Sequence, residues 1–278
     1  MDSLSSHQTA LDLLDVTTII EALKPASKQQ LHDIHCLDVV DSTNVWAMQG
    51  IALGRRHGHV YLAEQQTAGR GRRGRQWISP FARNIYLSLI WQFHGSERDL
   101  SPLSLAVGVA VCRALQQVGI SDVGLKWPND ILAHGKKLGG ILLELQGDPS
   151  RECQVIIGVG LNVSMADEDA ADIAQPWIDA QRLLGTERPN RNLIVTALLD
   201  AMVEILEQFT RGGFAALRQD WQALDVFADA QVMIHLGDDV IFGVARGVDD
   251  NGALQLDTAT GRQLFHGGEV SLRPAGAL

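Results

Sequence analysis

Residues 58–93, GHVYLAEQQTAGRGRRGRQWISPFARNIYLSLIWQF, hold two apolar runs on either side of a stretch rich in glycine and arginine. In 84–93 (NIYLSLIWQF) apolar residues recur at Ile85, Leu87, Leu89 and Trp91, the two-residue period of a strand, and 58–66 (GHVYLAEQQ) reads the same way. Downstream, Ser101-Pro102 is a helix start with proline at the first helical position, and the apolar stretch to Val118 closes at Gly119. Strand-like segments follow at 122–127, 139–146 and 153–163, then an acidic loop or frayed helix over 164–175. Residues 191–211 place Ile194, Leu198, Met202, Ile205, Leu206 and Phe209 on one helical face that stops at Gly212-Gly213. Upstream, 8–24 sets Leu11, Leu14, Ile19, Ile20 and Leu23 at helical spacing, with Thr18 and Glu21 as a capping box and Pro25 beyond the end; from about Leu37 the period becomes that of a strand. After about Asp225, short segments at 231–236, 240–247, 253–257 and 263–266 alternate with turn residues, the pattern of a small barrel. The body therefore reads as α/β and the tail as all-β, with the boundary near 225–230.

Composition narrows the class. The 278 residues, 46% hydrophobic and 20% charged, suit two globular domains, or one large domain with an appendage, and exclude disordered and fibrous chains. The longest apolar runs, such as 153–163, stay far short of the roughly 20 residues that span a bilayer. The first ten residues, MDSLSSHQTA, lack the basic and apolar regions of a secretory signal, so the expected compartment is the cytoplasm. Cys36, Cys112 and Cys153 are odd in number and lack metal-ligand spacing, which predicts reduced thiols rather than disulfides or zinc. A net charge of −10 argues against broad affinity for nucleic acid or anionic membranes. Yet seven arginines and one acid, Glu64, fall between Arg55 and Arg83, which predicts a bound anion there.

Five segments carry candidate chemistry. Gly69-Arg70-Gly71-Arg72-Arg73-Gly74-Arg75-Gln76-Trp77 offers close backbone approach and forked donors for phosphate or carboxylate oxygens, although it lacks the Gly-Lys-Ser/Thr end of a Walker A loop. A solvated or RNA-binding arginine-glycine loop would read alike. Lys126-Trp127-Pro128-Asn129-Asp130 places a lysine at a strand end, suited to phosphate charge or simply to the surface before a turn. Lys136-Lys137-Leu138-Gly139-Gly140 adds positive charge at what is equally a hairpin rim. Asp41-Ser42-Thr43-Asn44 is a helix N-cap cluster or a polar ligand contact. Gly158-Val159-Gly160-Leu161-Asn162-Val163 reads as a strand whose glycines admit a flat ligand, or as a bulged packed strand, and Trp177 as a base-stacking or core residue.

In this order the segments resemble the biotin protein ligases. The matching motifs are DSTN at 41–44, GRGRRGR-x-W at 69–77, KWPND at 126–130, KKLGGIL-x-E at 136–144, GVGLNV at 158–163 and GGEVSLR at 267–273. The resemblance spans about residues 10–275. It implies an α+β or α/β fold with a mixed sheet of the biotinyl and lipoyl ligase type, related to class II aminoacyl-tRNA synthetases, and a small SH3-like C-terminal β-barrel. It implies a short helical segment over 1–36, a catalytic domain over 37–228 and the C-terminal domain over 229–278. The implied reaction is ATP-dependent attachment of biotin to a lysine of a biotin carboxyl carrier protein through biotinyl-5′-AMP, with release of pyrophosphate. Biotin, ATP and its Mg²⁺ are the substrates, with no prosthetic group and no metal held by the protein alone.

By motif, the resemblance implies biotin contacts for Ser42, Thr43, Asn44, Gln66, Gly69, Arg70, Arg72, Arg73, Gly74, Trp77 and Lys126. It implies ATP or adenylate contacts for Arg72, Lys126, Asn129, Lys137, Asn162, Trp177, Glu269 and Arg273, and catalytic roles for Lys126, Arg70 and Arg72. Bifunctional members add an N-terminal winged helix-turn-helix, whereas 40 residues with one recognisable helix precede Asp41 here. The expectation is thus a ligase without repressor function, the alternatives being a bifunctional ligase and repressor or a lipoate or octanoyl transferase. The expected partner is the carrier domain, with neither nucleic acid nor membrane, and two copies could pair through a sheet edge.

Overall fold

The alternation in 84–93 becomes the middle of a sheet. The computed structural model describes residues 12–94, 99–147, 152–186, 189–237, 239–267 and 270–274. In chain order it contains α1 (Val16–Ala22), α2 (Pro25–Gln30), β1 (Asp33–Val40), α3 (Thr43–Ala52), β2 (His59–Gln66), β3 (Ile85–His94), α4 (Leu103–Gln117), β4 (Gly124–Lys126), β5 (Asp130–Ala133), β6 (Lys136–Gly147), β7 (Glu152–Leu161), α5 (Ala180–Leu184), α6 (Arg191–Gly212) and α7 (Arg218–Leu224). The tail adds β8 (Gln231–Leu236), β9 (Asp239–Val248), β10 (Leu254–Thr258), β11 (Gly261–Phe265) and β12 (Val270–Pro274). The first seven strands form one mixed sheet in the order β1-β2-β3-β7-β6-β5-β4, in which only β1 and β2 pair in parallel.

The two-residue period gives this sheet two unlike faces. Ile85, Leu87, Leu89, Trp91 and Phe93 of β3, with Val155, Ile157, Val159 and Leu161 of β7, join the main core with residues of α4 and α6. Each such side chain, fully buried, contributes about 1.5–3 kcal/mol. On the opposite face Tyr61, Ile90 and Ile156 pack under Ala47 of α3. Beyond the N-terminus of α3 that second face turns polar or bare, at Ser88 of β3 and at Gly158 and Gly160 of β7. A cleft opens there.

The structure departs from the sequence reading at three places. Asp15, not the Thr18–Glu21 pair, caps α1: its carboxylate accepts from Thr17 N at 2.9 Å and from Thr18 Oγ1 at 2.7 Å. Pro25 does lie beyond the end of α1, but it also opens an unexpected second helix, α2, at its first position, where a missing N–H is no loss. Residues 1–11, including Leu11, lie outside those described. The strand expected over 122–127 is β4, and after a tight turn the chain runs back as β5, a strand the sequence reading lacks, which makes KWPND the tip of a hairpin. The helices expected over 101–118 and 191–211 are α4 and α6, the latter capped by Asn190 and closed by Gly213 at φ 63°.

The tail strands form an antiparallel sheet in the order β11-β10-β9-β8-β12, and no ladder joins β11 to β12 among the described residues. This sheet docks on the first through the β9–β10 turn. Trp127 Nε1 donates to Gly252 O at 3.1 Å, and Arg218 donates to Val248 O at 2.8 Å and to Asp250 Oδ1 at 2.9 Å. No helix among the described residues is long and apolar enough to cross a membrane.

Asp225, just after α7, is poorly matched to its surroundings. Oδ1 accepts from Phe227 N at 3.0 Å, but Oδ2 is buried without a hydrogen-bond partner among the described residues, and burial pushes the carboxyl up to about 6. A carboxyl raised above its unfolded value holds its proton longer in the folded state, so stability falls as pH rises from about 4 to about 6 and stays lowered above. Asp225→Asn, which keeps the acceptor and removes the charge, is therefore expected to stabilise the protein by about 1–3 kcal/mol at pH 7. The gain should vanish below about pH 4, as read by melts across that range. A pH-independent gain would place the effect elsewhere.

Candidate active site

Because β1 and β2 run in parallel, their C-terminal ends emerge side by side, and the chain after β1 turns directly into α3. Ser42 at the N-cap makes no side-chain capping bond. The first-turn amide is satisfied from β2 instead: Gln66 Oε1 accepts from Thr43 N at 2.9 Å and from Thr43 Oγ1 at 3.2 Å. Gln66 Nε2 donates to Ser79 Oγ at 3.1 Å, and Ser79 Oγ donates to Trp77 O at 3.0 Å. DSTN, Gln66 and the end of the glycine-arginine loop are thus one hydrogen-bonded unit. Ser88 Oγ, fully buried, lies 2.8 Å from Thr43 Oγ1 and 2.5 Å from Asn44 Oδ1. Asn44 Nδ2 in turn donates to Glu144 Oε2 at 2.7 Å, and Glu144 holds Arg70 Nη2 at 3.0 and 3.1 Å.

The two glycines of β7 make this possible. A Cβ on Gly158 would stand 2.4 Å from Asn44 Oδ1, and one on Gly160 would stand 2.6–2.8 Å from the Trp77 indole. The strand is regular through both residues, so the bulged alternative does not apply. Trp77 closes the floor of the cleft, with Lys137 Nζ 5.5 Å from its ring centroid and its own Nε1 buried without a partner among the described residues.

The glycine-arginine loop is a small hairpin. Gly71 N donates to Arg75 O at 2.7 Å and Trp77 N to Gly69 O at 2.9 Å, while a Cβ on Gly69 would meet Trp77 O at 2.5 Å. Its tip holds Arg73 at φ 61° beside Gly74 at φ 70°, a left-handed backbone that costs a residue with a side chain about 1–2 kcal/mol. Arg72 spans the cleft, with Nη1 donating to Asn129 Oδ1 at 2.9 Å, and Asn129 Nδ2 is anchored on Ile141 O at 2.8 Å. Burial lowers the basicity of the Arg72 guanidinium, with Asp130 opposing that effect.

Opposite the loop, Asp130 is shared by two lysines: Lys137 Nζ at 2.6 Å and Lys126 Nζ at 3.6 Å. Burial is the main cause that pulls the Lys126 ammonium below its ordinary range, offset by Asp130 and reinforced by Lys137 and Arg273. One carboxylate against Lys126, Lys137 and Arg72 leaves the cleft positive, in a partly dry setting where an added anion is worth more than in water.

Not every expected residue faces the cleft. Asn162 is buried behind it, spending its amide on Ile178 O at 3.2 Å and Lys137 O at 3.4 Å. Trp177 bridges to Lys137 through the backbone, and its ring is stacked by Arg182 at 4.5 Å. Glu269 lies outside the described residues, while Leu272 lines the cleft and Arg273 acts on Lys126 from β12. The expected arginine cluster also divides. Arg70, Arg72, Arg73 and Arg75 line the cleft, but Arg55 sits past the far end of α3 against Tyr61 Oη, and Glu64 is core-buried with Arg191 at 2.7 Å. Sequence reasoning passed over Ser79 and Ser88; Asp130 and Glu144 stood only as the last letters of motifs. A serine on the inward face of an apolar strand was the signal for Ser88. No disulfide joins the cysteines among the described residues, and burial pushes the Cys36 and Cys112 thiols up to about 12, so neither is a nucleophile.

Residues 36–162 match the Biotin/lipoate A/B protein ligase family, and residues 230–273 match the Biotin protein ligase C terminal domain. The bifunctional ligase/repressor BirA of Salmonella typhimurium is 37% identical over 257 residues, 92% of this chain and 79% of that protein. The chain belongs to the biotin protein ligase family. The biotin–[acetyl-CoA-carboxylase] ligase of Mycobacterium tuberculosis is also 37% identical, over 84% of this chain and 88% of that protein. Biotin protein ligase from Aquifex aeolicus in complex with biotin and ATP superposes with a TM-score of 0.74 at 26% identity, covering 88% of this chain and all of that one. Family membership, mixed sheet and separate C-terminal antiparallel sheet agree with the resemblance read from the motifs. The chain is a ligase enzyme.

Proposed function

We propose that the chain activates biotin with ATP to biotinyl-5′-AMP and transfers the biotinyl group to a lysine of a biotin carboxyl carrier protein. The observation that carries the reading is the positive cleft in which Arg72 spans to Asn129 and Lys126 and Lys137 share Asp130. A biotin carboxylate oxygen attacks the α-phosphorus, the bond from that phosphorus to the bridging oxygen breaks, and pyrophosphate leaves with its Mg²⁺. This brings an anion to a polyanion, and fixed cations are what the step requires. Lys126 faces the reacting phosphate, Arg72 and Arg70 hold the loop and the ligand, and Gln66, Ser42, Thr43 and Asn44 present polar groups to the uncharged ring. The carrier lysine then attacks the acyl carbon, AMP leaves, and the amine loses its proton. No enzyme nucleophile is needed.

The relatives named above include both ligase/repressors and a ligase; we favour ligation without operator binding, given the net charge of −10 and coverage of 88% of the Mycobacterium ligase. We further assign the catalytic unit to 37–228 and the C-terminal unit to 229–278, place the protein in the cytoplasm, and regard the edge strand β1, with Leu37 and Val39 exposed, as the place where a second copy would pair. Purified protein with ATP, Mg²⁺, labelled biotin and an apo carrier domain is expected to label the carrier only when ATP is present. Transfer of lipoate or octanoate in place of biotin would overturn the reading.

The glycine floor gives a second test. Gly158→Ala must displace Asn44, which sits between Ser88 and Glu144, and a misplacement near 1 Å typically costs up to about 10² in rate. Biotin-dependent pyrophosphate exchange should fall on that scale while circular dichroism stays that of the parent. Unchanged exchange would remove Asn44 from the biotin site.

A further inference from the structure

At the opposite end of β1 and β2 from the cleft, Asp33, His35 and His59 bring a carboxylate and two imidazoles together. The parallel register sets His59 directly across from Asp33, and His35, two residues along β1, shares its face. One ligand atom from each lies within 4.8 Å of the other two. His35 Nε2 is 3.1 Å from Asp33 Oδ2 without an aligned hydrogen bond, and the two imidazole planes are 3° apart with centroids at 6.0 Å. His35 Nε2 and His59 Nδ1 are both buried with no hydrogen-bond partner among the described residues. Buried ring nitrogens are usually satisfied, so two unmet ones beside a carboxylate call for a reason. None of these residues takes part in the ligase chemistry proposed above.

From these contacts we infer that Asp33, His35 and His59 form a site for a divalent first-row transition ion of the zinc type, its remaining position filled by water. Two imidazole nitrogens and one carboxylate oxygen suit zinc, nickel or copper, whereas Mg²⁺ favours oxygen ligands and its own waters, so this site does not compete for the Mg²⁺ of ATP. Burial is the largest cause that lowers the basicity of both imidazoles. The charged groups that bear on them are Asp33, which opposes that lowering, and Arg55, which adds to it along with His32 for His59. Arg55 is itself turned to Tyr61 Oη at 3.2 Å. Cys36, next along β1, points off this face and carries a neutral thiol. Zinc bonds near 2.0–2.2 Å require the three groups to draw together, which the exposed Asp33 side chain at the strand start is free to do. An ion there would clip β1 to β2 at the end remote from Ser42 and Gln66.

The test uses metal-free full-length protein, Zn²⁺ in competition with a chromophoric chelator, and Co²⁺ followed by its visible absorption. One equivalent is expected to bind, and Zn²⁺ is expected to raise the melting temperature. His35→Ala and His59→Ala should each weaken Zn²⁺ binding by more than the tenfold that loss of an outer-shell partner typically costs, and Asp33→Asn, at an exposed position that leaves the fold alone, should weaken it too. His134→Ala, which removes an exposed imidazole beside Asp122, should bind as the parent does. Parental affinity in Asp33→Asn and His59→Ala, or no uptake of Zn²⁺ by folded parent protein, would overturn the inference.

Discussion

Lys126→Ala is expected to slow biotin-dependent pyrophosphate exchange by about 10²–10³-fold while weakening biotin binding alone by less than tenfold. The reason lies in what surrounds the ammonium. Lys126 ends β4 at the cleft, 3.6 Å from Asp130, while Lys137 sits closer to the same carboxylate at 2.6 Å. The carboxylate is therefore mainly committed to Lys137, and Lys126 keeps charge available for the ligand. Its lowered basicity records a cation held under partial desolvation among other cations, a state relieved when phosphate charge arrives. An interaction that strengthens as charge develops acts on the rate more than on ground-state affinity. Calorimetry for biotin and exchange of labelled pyrophosphate for adenylation separate the two. Equal losses in both would make Lys126 a substrate anchor only.

What could be read from the sequence was what is local. The strand over 84–93 and the helix over 191–211 declare themselves through periods that a ten- to twenty-residue window contains. β5, four residues long, carries no period of its own; only its pairing with β4 and β6 makes it a strand. The site divides along the same line. The resemblance singled out Gln66, Arg72 and Lys126, and all three line the cleft, but Glu144 acquires its contacts only because β6 brings it to Asn44, 100 positions earlier in the chain. Nearness in sequence also misled. Arg55 and Arg70 fall in one basic stretch, yet β2 stands between them, and eight extended residues at about 3.3 Å each put them at opposite ends of the sheet. Asn162 was implied as an adenylate contact by its motif alone, and only the folded chain shows that its amide donates to two carbonyls, of Lys137 and Ile178.

Arg72→Gly is expected to release the activated intermediate before it spoils its formation. The Arg72 guanidinium reaches Asn129, which is itself fixed to β6 through Ile141, so the loop is tied across the cleft. The rest of the loop favours opening: Arg73 holds a left-handed backbone at φ 61°, and Gly71 and Gly74 add chain entropy to the unlatched state. A hydrogen bond from a charged donor contributes about 1.5–3 kcal/mol, so its loss should speed escape of biotinyl-5′-AMP by roughly ten- to a hundredfold. Lys126, Lys137 and Asp130 are left in place, and adenylation should persist. A mixed anhydride free in solution acylates any accessible amine, so labelling of bystander proteins should rise relative to the carrier. The measurement is biotin incorporated into serum albumin and into an apo carrier domain, for parent and variant at matched ATP turnover. An unchanged ratio would mean that the intermediate is retained by contacts other than the Arg72 latch.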